Sequence, residues 1–473
     1  MAVADESLVE RAALRKGQLN LLQLVMSTLA NVAPAQGIFF SIAFLAATMG
    51  GGAPLGMLVA SIAIFTVGNT LAEFSKELPS AGSFITFISR TFGAHTGIVL
   101  AITVSLGYIV AISGVLLEIG GWVSAVLLQN FGMQMPWQVI TLASAVVITV
   151  LVLIGIKISS QWAVVLFITE GAVLTILSIA ILIHGGAQGL HLSPFVPSNI
   201  TGGLKSFGLA FPLLVFSFVG WENGGALAEE TINPRRNIPR AVFLAIAIVS
   251  VLYVLTTYVA VEGFGASHLT ALANNSAPFN TLAESYLGSM GVFLIDFIGF
   301  TSLFACVIAA ANSQSRIIFH AGREGLIPKA FGRILPSTGT PWIALLSYLG
   351  IAVALIVIVG WNMQPLTYYA DMGSLGTIPI IMVYVAANLA LPIYILKHNR
   401  NSFRWIRHLV IPVIGLLVLC YSFWSLIEPG QPAPFNYFPY IVLGLVVLSV
   451  VYAIWLGRRN RAVLDAASQT LAE

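Results

Sequence analysis

Charge is scarce in this sequence. Asp, Glu, Lys and Arg make up 8% of 473 residues, against roughly 25% in an ordinary soluble domain. That excludes a water-soluble globular chain. Cysteine is scarcer still: Cys306 and Cys420 both fall in apolar runs, so no disulfide framework is implied and each reads as a small core hydrophobe. The 7 histidines lie near the ends of apolar runs or between them. No His-Glu-x-x-His pair or cysteine cluster accompanies them, so no metal site and no cofactor is expected, and an enzyme is disfavoured. A cleavable leader is also missing. The opening "MAVADESLVERAALRKGQLN" has no short apolar stretch before a small-residue cleavage site, so it is expected to remain.

What is present is hydrophobic, 58% of the chain. Runs of about 20 apolar residues, each enough for a hydrocarbon core about 30 Å thick, recur along the whole length. About twelve are expected, near 20–49, 53–74, 94–128, 137–155, 160–184, 205–229, 239–263, 288–315, 341–361, 366–396, 408–427 and 437–456. The reading is an integral protein of the lipid bilayer. With a cytoplasmic N-terminus, every lysine and arginine except Lys205 falls on the cytoplasmic side, as the positive-inside rule requires. The net charge of +3 therefore reflects topology and needs no nucleic-acid partner.

Two runs are interrupted. In "LANVAPAQGIFFS", Leu29 to Ser41, the residues Asn31, Pro34, Gln36 and Gly37 stand where continuous helix is expected. Proline removes a backbone donor, and in hydrocarbon each freed backbone group costs several kcal/mol. Span 6 carries "FVGWENGG", Phe218 to Gly225, about five spans later. An odd separation places two similar units upside down to one another, the inverted-repeat plan of many secondary transporters. Amphipathic segments after spans 2 and 7 correspond in the same way. The alternative is that glycine and proline merely kink these helices for packing.

Five motifs in order carry a resemblance: "QGIF" from Gln36, "ELPSAGSFITFISRTFG" after span 2, "GIKISSQWAVVLFITE" from Gly155 to Glu170, "FSFVGWENGGALAEETINPRRNIPRA" from Phe216, and "ANSQSRIIFHAGREGLIPKAFGRILPSTGTP" from Ala311. Through spans 1 to 10 the chain resembles the amino acid-polyamine-organocation transporter superfamily. The resemblance implies an all-α membrane protein with 12 transmembrane helices, a 5+5 inverted repeat with broken helices 1 and 6, and two extra C-terminal helices. The expected divisions are a cytoplasmic segment 1–19, a first repeat 20–190, a second repeat 200–398, helices 11 and 12 at 405–457, and a cytoplasmic tail 458–473. Alternating access around the two breaks follows from the same likeness. Many members have Gly-Ser-Gly at the first break, whereas this chain has Ala35-Gln36-Gly37 behind Pro34. Gln36 can add a side-chain amide to the site, or its bulk can favour a substrate without an α-carboxylate.

The physics of helix ends points to the same place. A second half-helix beginning near Pro34 exposes the amides of Gln36, Gly37 and Ile38 to an anion, and the first halves end with carbonyls near Val32, Ala33, Ser217 and Phe218 that suit an ammonium. A small zwitterion or amine is the expected ligand. Phe216, Phe218 and Trp221 can cap it, although core packing is the better reading of Phe218, and Trp221 equally suits packing or lipid.

Glu170 and Glu222 fall near the middle of spans 5 and 6, where an acidic residue is about 3 kcal/mol unfavourable. Desolvation favours the neutral carboxyl, which suits a reversible proton carrier. The family often has lysine at the position of Glu170. Proton coupling is the favoured role there, with a static interhelical hydrogen bond as the alternative. At Glu222, a helix cap, a gate, cation recognition and proton exchange remain open. Glu118, Asp296 and Asp371 are expected to line an outer vestibule or form structural pairs, and Glu229 and Glu230 to pair with Arg235 and Arg236.

The functional reading is a permease for amino acids or related small amines, in a microbial cytoplasmic membrane, coupled to protons. Sodium coupling, polyamine or amine exchange, and a non-transporting receptor are the alternatives. The loop "QNFGMQMPW" has no cysteine, so no disulfide-linked partner subunit is expected.

Overall fold

A computed structural model describes residues 19–80, 82–155, 160–228, 231–323 and 325–459. Most of the expected terminal segments 1–19 and 458–473 lies outside the described residues. So do Lys157, Glu229 and Glu230, and with them the acidic half of the expected cluster with Arg235 and Arg236.

The described chain is helical, with one isolated backbone bridge between Leu19 and Thr231. Nine of its helices are long and apolar enough to cross a membrane, and Trp137–Leu153 and Gly203–Phe216 are shorter apolar helices. The first apolar run divides into α1 (Leu21–Ala30), α2 (Pro34–Phe39) and α3 (Ile42–Met49). Its start is encoded locally: the side chain of Asn20 accepts the Gln23 amide and the Gln23 side chain accepts the Asn20 amide. Such reciprocal capping satisfies two donors that a helix leaves open.

The break is equally local in origin. Ala33 has a left-handed backbone, φ 49° and ψ 71°, immediately before Pro34 at the first position of α2. Proline disfavours an α-helical residue before it, and a left-handed non-glycine residue costs on the order of 1–3 kcal/mol unless its surroundings hold it. Here every residue of α2 is buried.

The remaining long elements are α4 (Ala53–Glu77), the short amphipathic α5 (Ser83–Phe92), α6 (Ala94–Phe131), α7 (Trp137–Leu153), α8 (Ser160–His184) and α9 (Gly203–Phe216). After α9 the chain turns through 217–222 into the four-residue α10 (Asn223–Ala226). Then follow α11 (Pro234–Phe264), α12 (Leu269–Ala273), α13 (Pro278–Arg323), α14 (Trp342–Leu355), α15 (Pro365–His398), α16 (Ile411–Ile427) and α17 (Phe438–Arg459). Within α13, Gly288 at φ 71° separates the amphipathic stretch from the apolar span. The most extensive packing pairs α6 with α15 and α4 with α11. Of these, α11 also packs on α1 and α2, and α15 on α9.

The two interruptions touch. Gly220, φ 113°, lies so close to the first break that a Cβ there would collide with the Asn31 carbonyl. Glycine is required both by the φ and by the approach. Gly220→Ala is therefore expected to lower the unfolding temperature in detergent more than Gly93→Ala, where φ is 95° but a Cβ would meet nothing within 4 Å. The excess corresponds to overpacking, about 1–3 kcal/mol. Equal melting of the two variants would refute the contact between the breaks.

Candidate functional site

The donors freed by the first break are taken up by the protein itself. The Ala35 amide donates to Oε2 of Glu170 at 3.1 Å, and the Gln36 amide to Oγ of Ser302 at 2.9 Å. The Ser302 hydroxyl in turn donates to the same Glu170 oxygen at 2.9 Å. One carboxyl thus joins α8, the start of α2 and α13. Glu170 is 3% exposed and has no ion pair among the described residues.

The side chain of Gln36 is engaged as well. Its amide donates to the Tyr369 hydroxyl at 2.7 Å, and that hydroxyl donates to the Gln36 carbonyl at 2.9 Å. Tyr369 therefore closes a ring on one residue of the break. On the other side, Ser217 donates to the Gly37 carbonyl at 2.8 Å and its own carbonyl accepts from Tyr253 at 2.7 Å.

Beside these contacts lies a cavity of about 90 Å³, walled by the two breaks, α6, α13 and α14. A single water needs about 10–15 Å³ by the same measure, so several waters or a small ligand fit. Glu222 faces it. Its Oε1 accepts from the Tyr108 hydroxyl at 2.7 Å, and its Oε2 from the Gly220 amide at 3.1 Å and the Tyr384 hydroxyl at 3.3 Å.

Of the residues singled out from sequence, Gln36, Phe216 and Glu222 line the cavity, and Val32, Ala33, Gly37, Ile38, Ser217, Phe218 and Trp221 do not. The reasons are specific. The Gly37 amide donates to the Ala33 carbonyl at 3.1 Å, and a Cβ on Gly37 would sit 2.6 Å from the Tyr253 hydroxyl. The carbonyls of Ala33, Ser217 and Phe218 all accept hydrogen bonds from within the protein. Phe218 packs edge-on against Tyr253, and Trp221 packs on Phe84 while its ring N–H donates to Tyr384 at 3.2 Å.

Sequence reasoning did not find the opposite wall. Tyr108, Ile112 and Val115 from α6 line the cavity with Cys306, Ser313 and Gln314 from α13 and Tyr348 from α14. The spacing of Tyr108, Ile112 and Val115 places them on one helical face, but continuous apolar helices carry many such faces. The other acids lie outside the cavity lining. Asp296 accepts from Asn280 at 2.6 Å and Asn130 at 2.7 Å, a structural set. Glu118 and Asp371 are buried without an ion pair among the described residues.

Among the described residues, nine helices are long and apolar enough to cross a membrane, which marks an integral multi-pass membrane protein. The chain belongs to the amino acid permease family, whose model matches residues 23–465. It is similar to the branched-chain amino acid permease BcaP of Bacillus subtilis, 24% identical over 87% of this chain and 88% of that one. It is also similar to the methylthioribose transporter of the same organism, 27% identical over 83% of this chain and 85% of the relative. A third likeness, 25% identical over 84% of this chain and 87% of the relative, is to the serine/threonine exchanger SteT of B. subtilis. These are transporters, and this chain is a transporter and not an enzyme.

The hydrogen bonds at Glu222 make an outcome measurable without a ligand. Leaving a buried acceptor without its donor costs about 1–3 kcal/mol, so Tyr108→Phe is expected to destabilise the ligand-free protein by that order in thermal unfolding. Tyr348→Phe, whose hydroxyl is 3.5 Å from the Tyr108 carbonyl, is expected to change stability little. Indistinguishable variants would mean that Tyr108 does not hold the carboxylate.

Proposed function

We propose that this protein is a secondary active permease that moves amino acids or related small amines by alternating access, driven by protons that bind and leave Glu170. The observation that carries the proposal is the triple junction at that carboxyl, where Ala35 and Ser302 donate to one oxygen of a buried side chain. A charged carboxylate holds both donors strongly, and a protonated one accepts them more weakly. Protonation therefore biases whether the break in the first helix stays tied to α8 and α13. A proton then acts as a ligand of one of two arrangements, which is what coupling requires.

The wider architecture belongs to the same proposal. The nine long helices, the two shorter ones and the broken helix at the start support twelve spans, with breaks in the first and sixth. Units 20–190 and 200–398 form the two inverted five-helix repeats, followed by helices at 405–457. The basic residues near α4, α15 and α16 support a cytoplasmic placement of that end and of both termini. The membrane proposed is a microbial cytoplasmic membrane. Exchange is the second reading, favoured by the likeness to SteT, whose name describes a serine/threonine exchanger.

Glu170→Gln separates the proton's role from a structural one, because it preserves shape and removes titration. In proteoliposomes the variant is expected to lose accumulation driven by an inward proton gradient, by at least tenfold, while substrate-for-substrate exchange continues. Accumulation equal to that of the parent would sink the proton role. Loss of exchange together with accumulation would make Glu170 a structural residue.

A further inference from the structure

The cavity has one charged residue on its wall, Glu222, and no lysine, arginine or histidine. The donors to that carboxyl are two tyrosine hydroxyls and the Gly220 amide, so it has hydrogen-bond partners but no cation among them. Nothing in the described residues forms an ion pair with it. A buried carboxylate in this condition gains most from a cation that brings its own charge and donors.

The groups at the first break that could receive an anion already hold partners. The amides of Ala35 and Gln36 go to Glu170 and Ser302, the Gly37 amide goes to the Ala33 carbonyl, and the Gln36 side-chain amide goes to Tyr369. The rest of the wall carries Ser313 and Gln314, Asn31, whose side-chain amide donates to the Ser27 carbonyl, Tyr348, whose hydroxyl donates to the Tyr108 carbonyl, and apolar Ile112, Val115 and Phe216. A ligand carboxylate would enter a small space beside Glu222 with like charge against it and no cationic partner. Such a buried, unpaired charge is strongly penalised.

We infer that the cavity selects small primary amines that lack an α-carboxylate, with the ammonium on Glu222 and a short apolar body against Ile112, Val115 and Phe216. The inference rests on the reading of this cavity as the substrate site and narrows the substrate class within it. It departs from what the names of the amino acid permease relatives would suggest. Methylthioribose, in the name of another relative, shows that a protein similar to this one can be named for a substrate that is no amino acid.

The test uses the purified full chain and three ligands with one carbon frame: isobutylamine, valine and isovalerate. Calorimetric titration is expected to give an affinity for isobutylamine at least tenfold above that for valine, with isovalerate weakest. Glu222→Gln is expected to weaken isobutylamine at least tenfold, its unfolding temperature reporting that it folds. The ranking on the unaltered protein decides the matter even where that variant does not fold. Valine binding as tightly as isobutylamine, or no binding of isobutylamine at all, would overturn the inference. Flux is read separately: valine uptake into proteoliposomes with weak amine binding overturns the inference and keeps the permease reading. Tight amine binding with no flux of either ligand supports the inference and overturns the reading of this cavity as the site of the transported substrate.

Discussion

In a hydrocarbon slab every backbone donor and acceptor must be satisfied within the protein, and two helices here are broken. Each break releases groups that cost several kcal/mol apiece if left unsatisfied in hydrocarbon. The rest of the core is arranged around that debt. Glu170, Ser302 and Tyr369 answer the first break, while Ser217 and Tyr253 stitch it to the second. Gly220 lets the two approach to backbone contact. The cavity beside Glu222 lies where two helices that cannot continue cross between others that do.

Charge is distributed on the same principle. Near one end of α4, Glu73 pairs with Lys76 at 2.6 Å and lies 3.3 Å from His408 and 3.8 Å from Arg407, tying α4 to the segment before α16. The pairs with Lys76 and Arg407, whose side chains are partly exposed, contribute little energy each. Inside the bundle the pattern reverses: Glu170 and Glu222 are held by neutral donors alone. Neutral donors satisfy the hydrogen bonds of a buried carboxyl without pairing a charge on it.

Much of the fold was legible because its causes are local. The run from Leu21 begins at a capping pair three residues apart, and it breaks where Pro34 follows a residue barred from helix. The second break shows as glycines around Glu222, and the amphipathic stretch after α11 ends at Gly288, where the backbone turns. Glu170 and Glu222 stood out as acids in apolar runs. The opposite wall was not legible: Tyr108 resembles any aromatic residue in an apolar helix, and Cys306 reads as a core hydrophobe until α13 is placed beside the breaks.

The sequence by itself determined that this chain lives in a membrane, where its helices start and stop, and which two of them are interrupted, since hydropathy, proline and glycine act within a few residues. Only the tertiary structure decided which partners take up the groups those interruptions free. The expected anion donors at Gln36 and Gly37 are consumed internally, by Ser302 266 positions away and by Ala33 one turn away. Glu170 reaches the Ala35 amide across 135 positions, and Tyr108 reaches Glu222 across 114. Hydrogen bonds are directional and extend about 3 Å, so which group satisfies which depends on how whole helices pack, and no local pattern in the chain records that.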